Sequence, residues 1–582
     1  IFSGLFILAV YKFYTLGADR GLEILWDISK VVIGLGLVIF IHELGHFLAA
    51  KWCDVHVETF SIGFGKAIPG CQFRYGETYY KIGWIPLGGY VKMVGEGENA
   101  DTEEAEEDPR SFRNKRVGQR MLIISAGVVM NIILACVCFV IVYSHGLEER
   151  PPIVGWVESG SPAWQEGLHS DIALVALDDL KAPRLMFDDI KPVVMGTSKG
   201  ETVTFVYKES PTGPEIRAVV EPGRDTEALF PSVGVGPAYQ LTLAKSRRRD
   251  FQPFIKGTPA ASASPAFKGG DKIVACSDPQ SPRVDDGRSP RAASALPPDR
   301  REGAAGKLDW FEFHRRLQVL RGEPMLMQVE RDGQKIDIVV QPAWCSVPGM
   351  RMAMGRVAAI RKGSRAAEAV ADHGEENGIQ PRKADAPDTT GDKIVAVQVH
   401  AEPYKLVRWL AEVRAPSTIE EEIEYDGKRQ KGTVEIRPLD PLRLPFELDR
   451  WAESTESKLH SLRMKVLRPT ARKEEKSQDK YVWLTLGWDE SARFHRELLI
   501  APNSPLSIPC LGLAYYVDAV VEHVEPGTPA ENAGLREGDV VKEVRWKTEK
   551  AEWQKIKPHQ WAFVFSQMQL GDPKTVDLKV ER

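Results

Sequence analysis

The chain of 582 residues carries 76 basic and 81 acidic side chains, a formal net charge of -5, and 27% of its residues are charged. That length calls for several domains, and the near balance of charge gives no basis for nucleic-acid binding. A mean hydropathy of -0.25 describes a mostly water-soluble polypeptide, so any membrane part must be concentrated in one region. The 7 cysteines are scattered with no Cys-x-x-Cys pair, which argues against a disulfide framework or a thiolate metal site.

Residues 1–16 are apolar apart from Lys12 and show no signal-peptide cleavage pattern; they read as the tail of an earlier span or a membrane-associated segment. The apolar run 31–50 is long enough to cross a bilayer, and His42-Glu43-Leu44-Gly45-His46 lies inside it. On a helix the two imidazoles fall at i and i+4, on one face, where both reach a single zinc ion. Glu43 stands beside them and can take a proton from zinc-bound water, the general base of metal-assisted peptide hydrolysis. Ionisable groups at membrane depth are costly, which favours a zinc site within the membrane over a buried helix whose histidines bond only to carbonyls.

A second segment, 121–143, is uncharged and again long enough to span. Arg110, Arg113, Lys115, Arg116 and Arg120 crowd its approach, which puts the loop 51–120 on the cytoplasmic side and the remainder, from about Glu148, across the membrane. The acidic run 101–108 in that loop reads as solvated. Residues 60–65 and 79–93 have the aromatic, β-branched and glycine content of strands broken by a turn. A strand pair there could offer its edge to an extended substrate backbone, and such pairing would unwind a helical peptide whose scissile carbonyls are otherwise hidden.

HELGH at 42–46, FSIGFG at 60–65, IPLGGYVKM at 85–93, and SFRNKRVGQR followed by SAGVVMN at 111–131 occur in an order and spacing that resembles the site-2 protease family of intramembrane zinc metalloproteases, in particular its bacterial regulator of sigma-E branch. The resemblance implies Zn(2+) held by His42 and His46, and Glu43 as catalytic base. It further implies a multi-pass inner-membrane enzyme whose loop strands feed it the unwound transmembrane segment of a pre-trimmed, single-span protein such as an anti-sigma factor. Gly88, Gly89, Tyr90 and Asn131 are the candidate substrate contacts, although Asn131 reads mainly as a helix-packing or hydrogen-bonding residue. Val128 stands where the family often has proline. The family completes its zinc site with an aspartate in a Leu-Asp-Gly motif on a later membrane helix, and no such helix follows Tyr143. Asp286-Gly287, Asp332-Gly333 and Asp426-Gly427 all lie in turn-like contexts, so the expectation is a fragment lacking the third ligand.

The remainder repeats itself: a glycine turn, a small-residue helix start, then Gly-Asp before an aliphatic strand. The copies are 527–541; 363–370 with 391–395; 257–261 with 270–274; and, most degenerate, 160–163 with 167–172. These units resemble PDZ domains, small partly open β-barrels whose groove accepts a peptide as an added strand. Leu511, Gly512 and Leu513 stand where the last unit would carry its carboxylate-binding loop. The expected fold is therefore multi-domain, a helical transmembrane protease core with a cytoplasmic β-hairpin at 1–150 followed by about four PDZ-like domains. These are placed at 151–225, at 230–345 with a polar insert 276–306, at 350–441 and at 505–582, leaving 442–500 unassigned. The insert and the polar stretch 372–390 are expected to bury little, and Arg247 to Arg249 to be solvated. Two functions remain open: an intramembrane zinc endopeptidase with an extracytoplasmic PDZ array that filters substrates, or a membrane-anchored PDZ scaffold with a silent zinc site. The implied partners are a membrane-protein substrate, PDZ peptide ligands and the lipid bilayer.

Overall fold

A computed structural model describes residues 18–96, 108–146, 150–224, 230–246, 252–301, 304, 306–372, 377–383, 390–454, 461–469, 479–546, 552–570 and 575–582. The expectations for residues 1–16, for 101–107 and for Arg247 to Arg249 lie outside them. Two compact units result, Ile1–Glu148 and Glu149–Arg582.

The first unit is built on two helices, α1 (Ala18–Trp52) and α2 (Val117–His145), both long and apolar enough to cross a membrane. Their outward side chains are bare: Val31, Ile33 and Val140 are 68%, 69% and 70% exposed, a surface that water disfavours and lipid accepts. Small residues let the helices touch, since a Cβ on Gly45 would lie 2.4 Å from the Ala126 carbonyl oxygen. Gly146, with φ 82°, stops α2 in the left-handed region that only glycine enters freely.

Between the helices run two long strands, β1 (Val57–Tyr75) and β2 (Thr78–Met93), and each doubles back. Residues 59–62 of β1 pair with 89–92 of β2 on one side and with 79–82 on the other, while 72–75 pair with 78–81. Two strands thus make four passes, with 89–93 on one edge. Gly63 and Gly65, at φ 85° and 90°, sit where β1 bends. Glu77, at the hairpin turn, accepts hydrogen bonds from Arg110 at 2.7 and 2.8 Å and from Lys51. Bonds from Arg110 and then Lys51 pull its carboxyl down to about 2, which ties the turn to the end of α1 and the approach to α2.

In the second unit the repeat is visible in the backbone. Gly160, Gly257, Gly363 and Gly527 all have positive φ, between 65° and 81°, and each opens a short helix or turn. The aspartate of each Gly-Asp pair is buried and bonded to an arginine: Asp271 to Arg331 at 2.6 Å, Asp392 to Arg468 at 2.8 Å, and Asp539 to Arg582 at 2.8 Å. Each also accepts a backbone N–H three residues before it in two copies, and from Gln380 in the third. In the degenerate first copy Asp171 bonds to Arg301, from the polar stretch 276–306.

Arg468 closes the third copy from the stretch that had no sequence assignment. That stretch holds a helix, Leu444–Ser454, and two strands, Ser461–Arg468 and Lys480–Gly487, which add to the same sheet as Lys393–Glu402. The polar insert also contributes, with strand Ala293–Ala295 pairing to Lys272–Ser277 and Leu296 only 3% exposed. A single 13-stranded sheet runs through the third and fourth copies, and one core joins Met352, Val397, Trp409 and Leu484 to Tyr515, Val541 and Trp561. Among the described residues none of the sheets closes into a barrel. The first copy has its own core around Trp164 and Phe205, and the second around Phe313 and Ile338.

Candidate metal centre

Helix α1 puts His42 and His46 one turn apart, with their Nε2 atoms 3.2 Å from each other and ring centroids at 4.8 Å. Two imidazole nitrogens bound to one tetrahedral zinc lie roughly 3.3 Å apart, from bond lengths near 2.05 Å. The separation of the pair therefore matches that of two nitrogens on one ion. The other ring nitrogens are engaged on α2: His46 Nδ1 lies 2.7 Å from the Ile123 carbonyl oxygen, and His42 Nδ1 lies 3.1 Å from the Asn131 side-chain amide. Between these two contacts sits Gly127. A Cβ there would fall 2.4 Å from His46 Nε2 and 2.8 Å from His42 Nε2, so only glycine leaves the imidazole nitrogens free.

Glu43 leans over the sheet. A Cβ on Gly89 would lie 2.9 Å from Glu43 Cγ and 3.0 Å from the Ser61 carbonyl oxygen. The outer pass of β2 thus runs directly past the candidate base, and among the described residues no other strand pairs with its free side. Gly88 is buried, and any side chain on it would collide with the Phe64 ring, which stacks on Tyr90 at 6.3 Å and 9°. His42, His46 and Asn131 are brought together, and Glu43 meets Gly89, while Gly88 and Tyr90 pack against Phe64. Ile123 and Gly127 complete the cluster. Sequence reading missed the Ile123 carbonyl, yet Ile123, Gly127 and Asn131 repeat at intervals of four, one face of a helix.

Among the described residues no three His, Cys, Asp or Glu side chains converge as a metal cluster. Asp286, Asp332 and Asp426 have φ of 52°, 50° and 53°, the left-handed geometry of turn residues, and all three lie in the second unit. The proposed carboxylate loop is also spoken for. Leu511 and Leu513 are fully buried, the Leu511 and Gly512 N–H groups bond to the Ile508 carbonyl, and the Leu511 and Gly512 carbonyls accept from Ala366 and Arg361. The strand that follows, Leu513–Val524, is paired on both sides, with Leu506–Ile508 and with Met350–Ile360.

Comparison with known proteins shows the family. The pattern of peptidase family M50 matches residues 30–438. The regulator of sigma-E protease RseP of Salmonella typhimurium is 31% identical over 339 residues, covering 56% of this chain and 66% of the relative. Its namesake in Escherichia coli is 30% identical over 347 residues, covering 58% and 67%. A relative in Clostridium acetobutylicum whose name carries the words zinc metalloprotease is 34% identical over 215 residues, 37% of this chain and 59% of its own. The chain thus spans about two thirds of the length of the regulator of sigma-E proteases it matches. With the family pattern covering well over half of its residues, the chain belongs to peptidase family M50.

Proposed function

We propose that this protein is an intramembrane zinc endopeptidase that cuts the transmembrane segment of single-span membrane proteins. One observation carries the reading: the Nε2 atoms of His42 and His46 converge on one face of α1, and Glu43 of the same turn lies against the outer pass of β2 at Gly89. His42 and His46 would hold zinc, which when bound supplies an activated water and polarises the scissile carbonyl. Glu43 takes the water proton and returns it to the leaving amine. The edge at residues 89–93 pairs with the substrate backbone and holds it extended, so that its carbonyls leave their helical hydrogen bonds. The relatives' name, regulator of sigma-E protease, makes an anti-sigma factor already trimmed by another protease the first substrate to try. The inner membrane, with residues 51–120 on the cytoplasmic side, is the proposed location.

The four repeats of the second unit are proposed to be PDZ-like. Their role here is read as bulk that filters substrates rather than peptide capture, because two of the edges on which a ligand strand would add are filled by the chain itself. Strand Leu513–Val524 is covered as described, and Val154–Glu158 is flanked by Val235–Pro237 and by Glu497–Leu498. A membrane-anchored scaffold remains the second reading. The observation behind it is that, among the described residues, no third His, Cys, Asp or Glu joins His42 and His46, whereas catalytic zinc usually has three protein ligands.

The test is cleavage of a reporter single-span substrate by membranes carrying the protein, with Glu43→Gln beside it. Loss of at least 100-fold in rate is expected, in keeping with the contribution of a positioned general base. Undiminished cutting by the variant would remove Glu43 from the chemistry, and a parent that binds zinc but never cuts would favour the scaffold.

A further inference from the structure

We infer that Asn131 is a positioning residue for His42, and that its side-chain amide serves two hydrogen-bonding states of the site, one without metal and one with it. The inference rests on the zinc reading above. Its starting point is a chain of contacts: Asn131 Nδ2 to His42 Nδ1 at 3.1 Å, His42 Nε2 to His46 Nε2 at 3.2 Å, and His46 Nδ1 to the Ile123 carbonyl oxygen at 2.7 Å.

A carbonyl oxygen can only accept, so the proton of neutral His46 is on Nδ1 and its Nε2 carries a lone pair. His42 Nε2 then donates to His46, and His42 Nδ1 accepts from the Asn131 amide N–H. Every link then has one donor and one acceptor. This arrangement suits the site without metal, because His42 Nε2 holds a hydrogen.

For His42 to bind zinc through Nε2, its proton must sit on Nδ1 instead. The group facing Nδ1 must then accept. An asparagine side chain meets both demands, since a half-turn of the amide exchanges Nδ2 for Oδ1 in nearly the same place. Asn131 Oδ1 is buried and has no hydrogen-bond partner among the described residues, so no bond seen there opposes the half-turn. Leucine would fill the space but offer neither group, and aspartate would offer only the acceptor.

The tautomer change moves one proton from Nε2 to Nδ1 of the same ring, and His42 neither gains nor loses charge. His46 needs no such partner, because the Ile123 carbonyl already holds it in the metal-ready form. The asymmetry between a backbone carbonyl on one histidine and an amide on the other therefore assigns the adjustable partner to His42.

Zinc affinity of the purified protein in detergent, measured by competition with a chromophoric chelator, tests this without reference to catalysis. Asn131→Leu is expected to bind zinc 10- to 100-fold more weakly than the parent, the usual effect of removing a group that orients a metal-binding histidine. Asn131→Asp, which retains the acceptor, is expected to bind at least as tightly as the parent. Asn131→Ala replaces the leucine variant if that one fails to fold by circular dichroism. Equal affinity in parent and leucine (or alanine) variants overturns the inference, as does an aspartate variant as weak as leucine. A parent that binds no zinc at all instead brings down the zinc reading on which the inference stands.

Discussion

Gly127 is a residue at which the candidate metal centre is exposed to damage. Its neighbours are imidazole nitrogens rather than flexible chain ends, and a methyl group 2.4 Å from His46 Nε2 must push either α2 or the ring aside. Overpacking of this type costs about 1–3 kcal/mol. Gly127→Ala is therefore expected to lower zinc affinity at least tenfold while both helices persist, with chelator competition and circular dichroism as the paired measurements. Parent-like affinity would show that the helices part easily at this point. The HELGH pentapeptide made the histidines legible in the sequence, because i, i+4 spacing alone fixes their common face. It gave no sign of Ile123, since a backbone carbonyl has no letter. The buried aspartates show the same limit. Gly270-Asp271, Gly391-Asp392 and Gly538-Asp539 stand out as a repeat, but Arg331, Arg468 and Arg582 lie far along the chain and only folding pairs them.

At the scale of elements, alternation and turn residues announced strands at 60–65 and 79–93, but not that each doubles back, because side-chain pattern does not specify which pass pairs with which. Residues 493–498 are a stronger case. Their mixed charge hid a short strand, Glu497–Leu498, that runs parallel to Val154–Glu158 and ties the first repeat to the third. Glu497 bonds to Arg361, whose guanidinium lies 4.9 Å over the Trp164 ring, and His495 stacks on His169 at 4.1 Å and 7°. Burial pushes the His495 imidazole down to about 2, with His169 and Arg361 acting in the same direction. Burial, helped by Arg496, also takes His314 down to about 4. The sign follows directly. Both groups are neutral in the fold and take up protons on unfolding below about pH 6.5, so stability is full above that pH and falls as the medium acidifies. Each contributes a slope of about 1.4 kcal/mol per pH unit between roughly pH 6 and the folded value. His495→Phe retains a ring against His169 but binds no proton. Urea midpoints at pH 7 and pH 5 are expected to differ less in the variant than in the parent; an unchanged difference would place the acid sensitivity elsewhere.

At the scale of the whole second unit, the third and fourth repeats look separable in sequence and are not separate in structure. The third and fourth share one core because Met350–Ile360 pairs along Leu513–Val524, and Tyr515 stands at the join. Its ring is fully buried and its hydroxyl donates to the Pro441 carbonyl at 2.6 Å, while its backbone lies between Val357 and Leu506. Tyr515→Ala removes a large core side chain and strands that carbonyl, a loss of about 3–5 kcal/mol. If the two repeats unfold as one cooperative body, hydrogen exchange should accelerate to a similar extent in Lys393–Glu402 of the third and Val540–Trp546 of the fourth. Neither strand contains the substitution, and Lys393–Glu402 pairs with the joining strand Met350–Ile360 only at Arg356. Faster exchange confined to Val540–Trp546 would mean that the fourth repeat opens alone. Its covered edge could then be released for a peptide ligand, and the second unit would be an array of separable binding modules rather than a rigid obstruction to bulky substrates.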